Sequence, residues 1–432
     1  MAPIAAAKTV GSGSVRGLCA KRELRREEKE GRSLRPMKPH LFSCVVLAAA
    51  ACAVTAAPSV PTFRALEIDS KIQIGYGVAV ADVNGDAKPD VLLADKTQIV
   101  WYQNPTWTKH VIAEKLTPHD HVCIAAQDID GDGKCEIAVG AGWNPSDTKT
   151  SGAVFYLIAP EDRTQKWEAV ALPHEPTVHR MRWMKNAEGA YELLVVPLHG
   201  RDNKPATGEG VGVKILAYKK PDNPRSPWTT QLWDEALHKT HNFELTQTDD
   251  DRGHEILVGG KEGVFHLDQT DGKIEAHRLT RDDKGGVGEV RSGKLAEGKR
   301  FVATVEPMHG NHLVVHVPEN AGTETIWSAR VLDDSLVDAH ALACADFIGA
   351  GQDQIVVGWR AMNRPGVKVG LKVFTALDPA GREWNQTIID DNGMACEDLG
   401  VADLNGDGAL DIVASGRATK NVKIYFNESA KR

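Results

Sequence analysis

The chain lacks the local signatures that usually settle an enzyme's chemistry. It contains no G-x-S-x-G, no H-E-x-x-H, no phosphate loop and no dinucleotide fingerprint, so hydrolases with a nucleophile elbow, zincins and nucleotide-binding folds have nothing to stand on. Cysteine is scarce, with 7 in 432 residues, and Cys19, Cys44 and Cys52 all fall in the first 56. The other four (Cys123, Cys135, Cys344, Cys396) lack zinc-type spacing and nothing in that spacing demands pairing, so neither a disulfide scaffold nor a zinc ribbon organises the chain. Aromatics make up only 6%, and the 40 glycines follow no three-residue period, which excludes a collagen-like rod. A 42% apolar share is too high for a disordered polymer and ample for a large core.

Positive charge is also short, and unevenly spread. The formal charge is −8, yet residues 1–56 carry ten of the basic and four of the acidic side chains, leaving −14 on the rest. That body disfavours polyanions, so no nucleic-acid partner is expected. Within the leader, Met37-Lys38-Pro39-His40 opens a basic stretch, 41–54 is almost wholly apolar, and Val54-Thr55-Ala56 supplies small residues for cleavage. This is the three-part pattern of a secretory signal, too short for a membrane span. The expected organisation is an upstream extension at 1–36, a signal peptide at 37–56, and an exported (periplasmic or extracellular) domain at 57–432 with no stable membrane span. The rival reading is a basic cytoplasmic tail before an uncleaved anchor.

What the sequence does contain is a repeat. The clearest copies are GVAVADVNGDAKPDVLLAD, CIAAQDIDGDGKCEIAVGAG and LGVADLNGDGALDIVASG. Each is an alternating run, a tight acidic-glycine loop and a second apolar strand. A third strand follows (QIVWYQNP, AVFYLIAP, VKIYFNES), and weaker copies fill the interval to make seven units. A fourth strand, marked by Trp and a β-branched pair, ends every unit except the last. The missing one stands ahead of the first unit, as FRALEIDS at 63–70. The arrangement predicts an all-β, seven-bladed β-propeller whose N-terminal strand closes the last blade.

The D-x-[DN]-G-D-x-x-x-[DE] loops resemble FG-GAP/VCBS propeller repeats. More specifically, PLHGR, EPMHGNH and HALACADF resemble the propeller domain of aldos-2-ulose dehydratases, enzymes that eliminate water from keto-sugars. The further cupin domains of the fungal members are absent from this sequence.

Strand order places two chemistries on two faces. The loops between first and second strands lie on one side, carrying oxygen ligands at alternate positions as hard cations require. Calcium is expected at Asp82, Asn84, Asp86 and Asp90; at Asp128, Asp130, Asp132 and Glu136; and at Asp403, Asn405, Asp407 and Asp411. An acidic turn also holds itself by Asx hydrogen bonds without an ion. Unit four keeps only Asp249, Asp251 and Glu255.

On the opposite face, the starts of the first strands carry His121, His179, His241 and His340, with Tyr76 and Glu397 in similar places. The loops after the second strands bring His199 with Arg201, Glu306 with His309, Trp143, Trp359 with Arg360, and Arg417; His238 stands nearby. A lone histidine is ordinarily a surface or core residue. Four at one register, converging on the axis, instead suit a divalent-metal or acid–base site, since neutral imidazole binds zinc, iron or manganese and titrates near neutrality.

The resemblance implies the reaction: a proton is abstracted beside a sugar carbonyl and a β-oxygen substituent is lost. On that reading His121, His179 and His241 hold a second divalent metal (zinc, manganese, iron or magnesium). His199 or His309 is the base, and Tyr76, Arg201, Glu306, His340 and Arg360 complete the site for a carbohydrate or keto-sugar substrate. Two rivals remain: a non-catalytic propeller binding a protein or glycan, and a polysaccharide lyase that would need an arginine to neutralise a uronate.

Overall fold

The structure is a computed structural model describing residues 60–429, apart from 271, 281–284, 322–323 and 363–365. The expected upstream extension at 1–36 and signal peptide at 37–56 lie outside the described residues. No helix among the described residues is long and apolar enough to cross a membrane.

Among the described residues, alternation and turn chemistry produce twenty-eight strands in seven antiparallel four-stranded sheets. In each of blades 1 to 6 the strands follow chain order, as adjacent strands joined by short turns must. Blade 7 has the order Phe63–Asp69, Asn421–Asn427, Asp411–Gly416, Cys396–Ala402. The displaced strand therefore closes the ring as expected. It runs antiparallel to the last strand from Phe63 opposite Asn427 to Asp69 opposite Val422. Arg64 Nε meets Glu428 at 2.8 Å, and Phe63 packs edge-on against Phe347 of blade 6 with centroids 5.7 Å apart.

The innermost strands of blades 1 to 7 are Gly77–Ala81, Cys123–Gln127, Val178–Lys185, Thr240–Thr246, Val290–Lys294, Ala339–Ala345 and Cys396–Ala402. Each touches the next around the ring, and the last touches the first. Second strands such as Glu136–Ala141 and Asp411–Gly416 are buried along their whole length, because neighbouring blades cover both their faces. Past an opening carboxylate, their sequences accordingly read as runs of apolar and small residues rather than alternating ones. Outer strands such as Thr229–Asp234 are largely exposed. The core therefore lies between blades, filled by Trp101, Tyr102, Tyr218, Phe243, Phe301, Phe374 and Tyr425. Burying such rings contributes about 1.5–3 kcal/mol each.

Candidate functional site

The histidine register is produced by a repeated backbone irregularity. In blade 3, Val178 and Arg180 pair with adjacent residues Pro197 and Val196, so His179 is an extra residue in its strand. His241 in blade 4, His340 in blade 6 and Glu397 in blade 7 are extra in the same way. A bulge re-aims its side chain relative to the pleat, and these four turn toward the axis. Blade 2 departs from the pattern. Its histidine stands one residue earlier, and His121 instead bonds the Asp95 carbonyl through Nδ1 (3.2 Å) and the Leu116 amide through Nε2 (3.3 Å).

Three imidazoles are held by one device. His179 Nδ1 bonds the His241 carbonyl at 2.8 Å, His241 Nδ1 bonds the Gly288 carbonyl at 3.0 Å, and His340 Nδ1 bonds the Glu397 carbonyl at 2.6 Å. A carbonyl can only accept, so each Nδ1 carries the proton and each Nε2 presents a lone pair. Ligating histidines are oriented by such outer bonds. His309, from the loop after the second strand of blade 5, comes in from above: its Nε2 stands 2.5 Å from His241 Nε2, and its Nδ1 accepts from Arg360 Nη2 at 3.1 Å.

Ring centroids of His179, His241, His309 and His340 are chained at 4.4–5.1 Å. His241, His309 and His340 each bring one ring nitrogen within 4.8 Å of the other two. Burial, followed by the charges of neighbouring groups, holds these imidazoles well below the usual histidine range, Arg180 acting on His179, His241 and His340 and Arg360 on His241, His309 and His340. They are neutral, which is the state that ligates. The residues present thus fit a divalent cation.

The rest of the funnel is built from ionic pairs. Arg360 bonds Asp338 at 2.9 Å and Glu397 at 2.5 Å, while Arg417 bonds the other Glu397 oxygen at 2.8 Å and lies over the Tyr76 ring. Tyr76 donates to Asp120 at 3.0 Å, and Trp143 stacks on His179 with centroids 4.8 Å apart. Every blade contributes to this rim.

Other expected site residues are placed elsewhere. His199 is buried, its backbone tied to Thr177 and its ring without contact to the four imidazoles among the described residues; burial, then Lys239, lowers it to about 4. Arg201 pairs with Glu175 on the surface. Glu306 is taken up by His316 (3.0 Å) and Thr304 (2.7 Å) inside blade 5. His238 pairs with Glu262.

Sequence reasoning missed Arg180 and Glu289. Both are buried at the throat; Arg180 Nη1 bonds His179 Nε2 at 3.1 Å, and Glu289 Oε1 lies 3.3 Å from His241 Nδ1. Burial raises the Glu289 carboxyl. It stands just ahead of the blade 5 inner strand, where that unit's degenerate repeat hid the alignment with His241 and Glu397.

In the acidic loops, Gly85, Gly131 and Gly406 take φ of +81°, +82° and +75°, as the fourth position of this turn demands. Asp128, Asp130 and Glu136 each bring one oxygen within 4.8 Å of the others, and Asp249, Glu255 and Asp268 do likewise; Asp132 accepts from the Lys134 amide. In all three loops much of the oxygen set faces backbone, Asp128 accepting from Gly131 and Gly133 and Asp130 from the Asp132 amide in blade 2. Asp82 accepts from Gly85 and Ala87, Asp403 from Gly406 and Gly408, Asn84 and Asn405 each from the amide two residues on, and Asp86 and Asp407 from Lys88 and Ala409. The last carboxylate of each loop straps it to the blade: Asp90 accepts from Val83 and Asn104, Asp411 from Leu404 and Asn427, and Glu136 from Ile129. In blade 6 a neutral Gln354 does the same for Phe347. Burial raises Asp90 to about 6 and Glu136 to about 7.

Comparison with known proteins agrees with this architecture. The FG-GAP-like repeat family matches residues 82–139, and the β-propeller domain of aldos-2-ulose dehydratase matches 151–319. No curated protein matches the chain. Among solved structures, one from the mitotic checkpoint complex aligns at 12% identity and TM-score 0.53, covering 92% of this chain and 100% of that one. One from BBS1N in complex with ARL6DN aligns at 14% identity and TM-score 0.52, covering 86% and 99%. At such identities they share the fold alone. The chain is a seven-bladed propeller with an FG-GAP-like repeat, similar through its central blades to the dehydratase propeller.

Proposed function

We propose that the funnel is the active site of an exported carbohydrate lyase or dehydratase, which removes water from a keto-sugar by β-elimination and is stapled by calcium on its opposite face. The observation that carries this is the convergence of His241, His309 and His340, two of them locked through Nδ1 so that Nε2 turns into the cluster. The match of residues 151–319 to a dehydratase propeller supports the same reading. A zinc, manganese, iron or magnesium ion on these nitrogens would polarise the sugar carbonyl.

The protein's own groups would do the rest. Glu289, whose Oε1 accepts no hydrogen bond among the described residues and whose carboxyl is raised by burial, takes the proton from the carbon beside the carbonyl. The C–H pair becomes the new C=C bond as the C–O bond on the next carbon breaks. Tyr76, held as the neutral phenol by burial and by its bond to Asp120, returns a proton so that water leaves. His309 is thereby reassigned from base to ligand.

Elemental analysis tests the metal: one tightly held transition ion per chain is expected, lost in His241→Ala and His340→Ala. Incubation with a neutral keto-sugar should then yield an ultraviolet-absorbing enone. Calcium alone, with no enone, leaves a non-catalytic binding propeller and overturns the enzyme.

A further inference from the structure

Arg180 is set apart from the other arginines of the funnel. Arg360 and Arg417 are neutralised by Asp338 and Glu397. Arg180 is only 5% exposed and gives Nη1 to His179, yet its Nε and Nη2 are buried with no partner among the described residues. Glu289 and Asp398 lie within electrostatic range of the guanidinium but bond neither of these nitrogens, and buried N–H donors left unbonded are costly unless something pairs with them. The two idle nitrogens are the ones that share an edge, where the N–H bonds run parallel and match both oxygens of a carboxylate. The edge is held in place because His179, to which Nη1 is bonded, is itself stacked on Trp143 and bonded to the His241 carbonyl.

We propose that Arg180 recognises an anion, and that the substrate of this funnel is an acidic keto-sugar, one that carries a carboxylate beside its reactive carbonyl. This rests on the elimination reading of the same site. A carboxylate in the fork would be bonded in a low-dielectric setting, where a charge-assisted pair is strongest; a neutral hydroxymethyl group offers one oxygen in place of two and no charge. His309 is the imidazole that reaches solvent, with a side chain 40% exposed against 2–4% for His179, His241 and His340.

The test is calorimetric titration of the metal-loaded protein with 2-keto-D-gluconate, D-fructose and D-fructose 1-phosphate. The first two differ only by carboxylate against hydroxymethyl. The acid should bind at least tenfold more tightly than fructose. Arg180→Gln should abolish that preference, the acid losing at least tenfold more affinity than fructose. Arg180→Lys keeps the charge without the fork and should lose most of the preference; it carries the test if the glutamine variant fails to fold. Equal affinity for acid and fructose, tighter binding of the phosphate, no binding of any of the three, or a fall for acid and fructose alike in the variants would each overturn the assignment. The elimination reading fails separately. Arg180-dependent acid binding without enone sinks it alone, and enone formed from the acid and from fructose in the same ratio of rates in parent and Arg180→Gln sinks the acid preference alone.

Discussion

His340 donates its Nδ1 proton to the backbone carbonyl of Glu397, 2.6 Å away in the next blade. The orientation of one imidazole is therefore set by its neighbour's main chain, which no substitution of Glu397 removes. The carboxylate of Glu397 does different work, lying between Arg360 and Arg417.

Replacing Glu397 by Ala should separate these roles. Two guanidiniums lose their shared partner, and breaking a buried ion pair costs about 3–5 kcal/mol. The expected outcome is a marked drop in the chemical-denaturation midpoint, with metal binding by the imidazoles kept. Loss of metal at unchanged stability would contradict it.

Glu136→Gln probes the loop strap. Gln354 already fills the equivalent place in blade 6, and one acceptor for the Ile129 amide is all the glutamine must supply. In a chelator the variant should melt at or slightly above the parent temperature, because a carboxylate raised to about 7 is destabilising when ionised. On adding calcium the parent should gain stability and the variant should gain less. An equal calcium response would argue that Glu136 only straps the loop.

His199 gives a pH signature. Its folded-state value near 4 lies below the usual 6.5, so the unfolded chain takes up the proton first as pH falls. The contribution of this residue to stability is full above 6.5 and is lost between 6.5 and 4. Relative to the parent, His199→Gln should therefore show a shallower fall in melting temperature across that window. Parallel curves would count against a depressed value.

Deleting residues up to 70 should leave blade 7 with three strands and the 421–427 strand as an open edge. Size-exclusion chromatography should report association or aggregation in place of a monomeric ring. A monomer of unchanged melting temperature would show that ring closure by Phe63–Asp69 is dispensable.

The architecture was legible because its signal is periodic: seven loop-and-strand units, and a lone N-terminal strand matching a C-terminal vacancy. The imidazole cluster was half legible. His179, His241 and His340 could be aligned by eye, but His121 sits one residue out of step, and a single residue on a bulged strand decides which way a ring points. Arg180 was passed over because an arginine beside a histidine on a strand is expected on the opposite face. Glu289 was hidden by the weak repeat of blade 5. Glu306 and Arg201 lay beside useful neighbours in sequence and were claimed locally by His316 and Glu175.

The extra residue shared by four inner strands has an evolutionary reading. Because the pleat resumes its normal alternation immediately after each bulge, the funnel residue is added without shifting the register of the strand behind it. Substitutions there change the groups that face the funnel and the bonds they make to the next blade, while the strand pairing keeps its register. Such a ring can diversify its chemistry one position per blade, like interchangeable tips on a fixed set of handles.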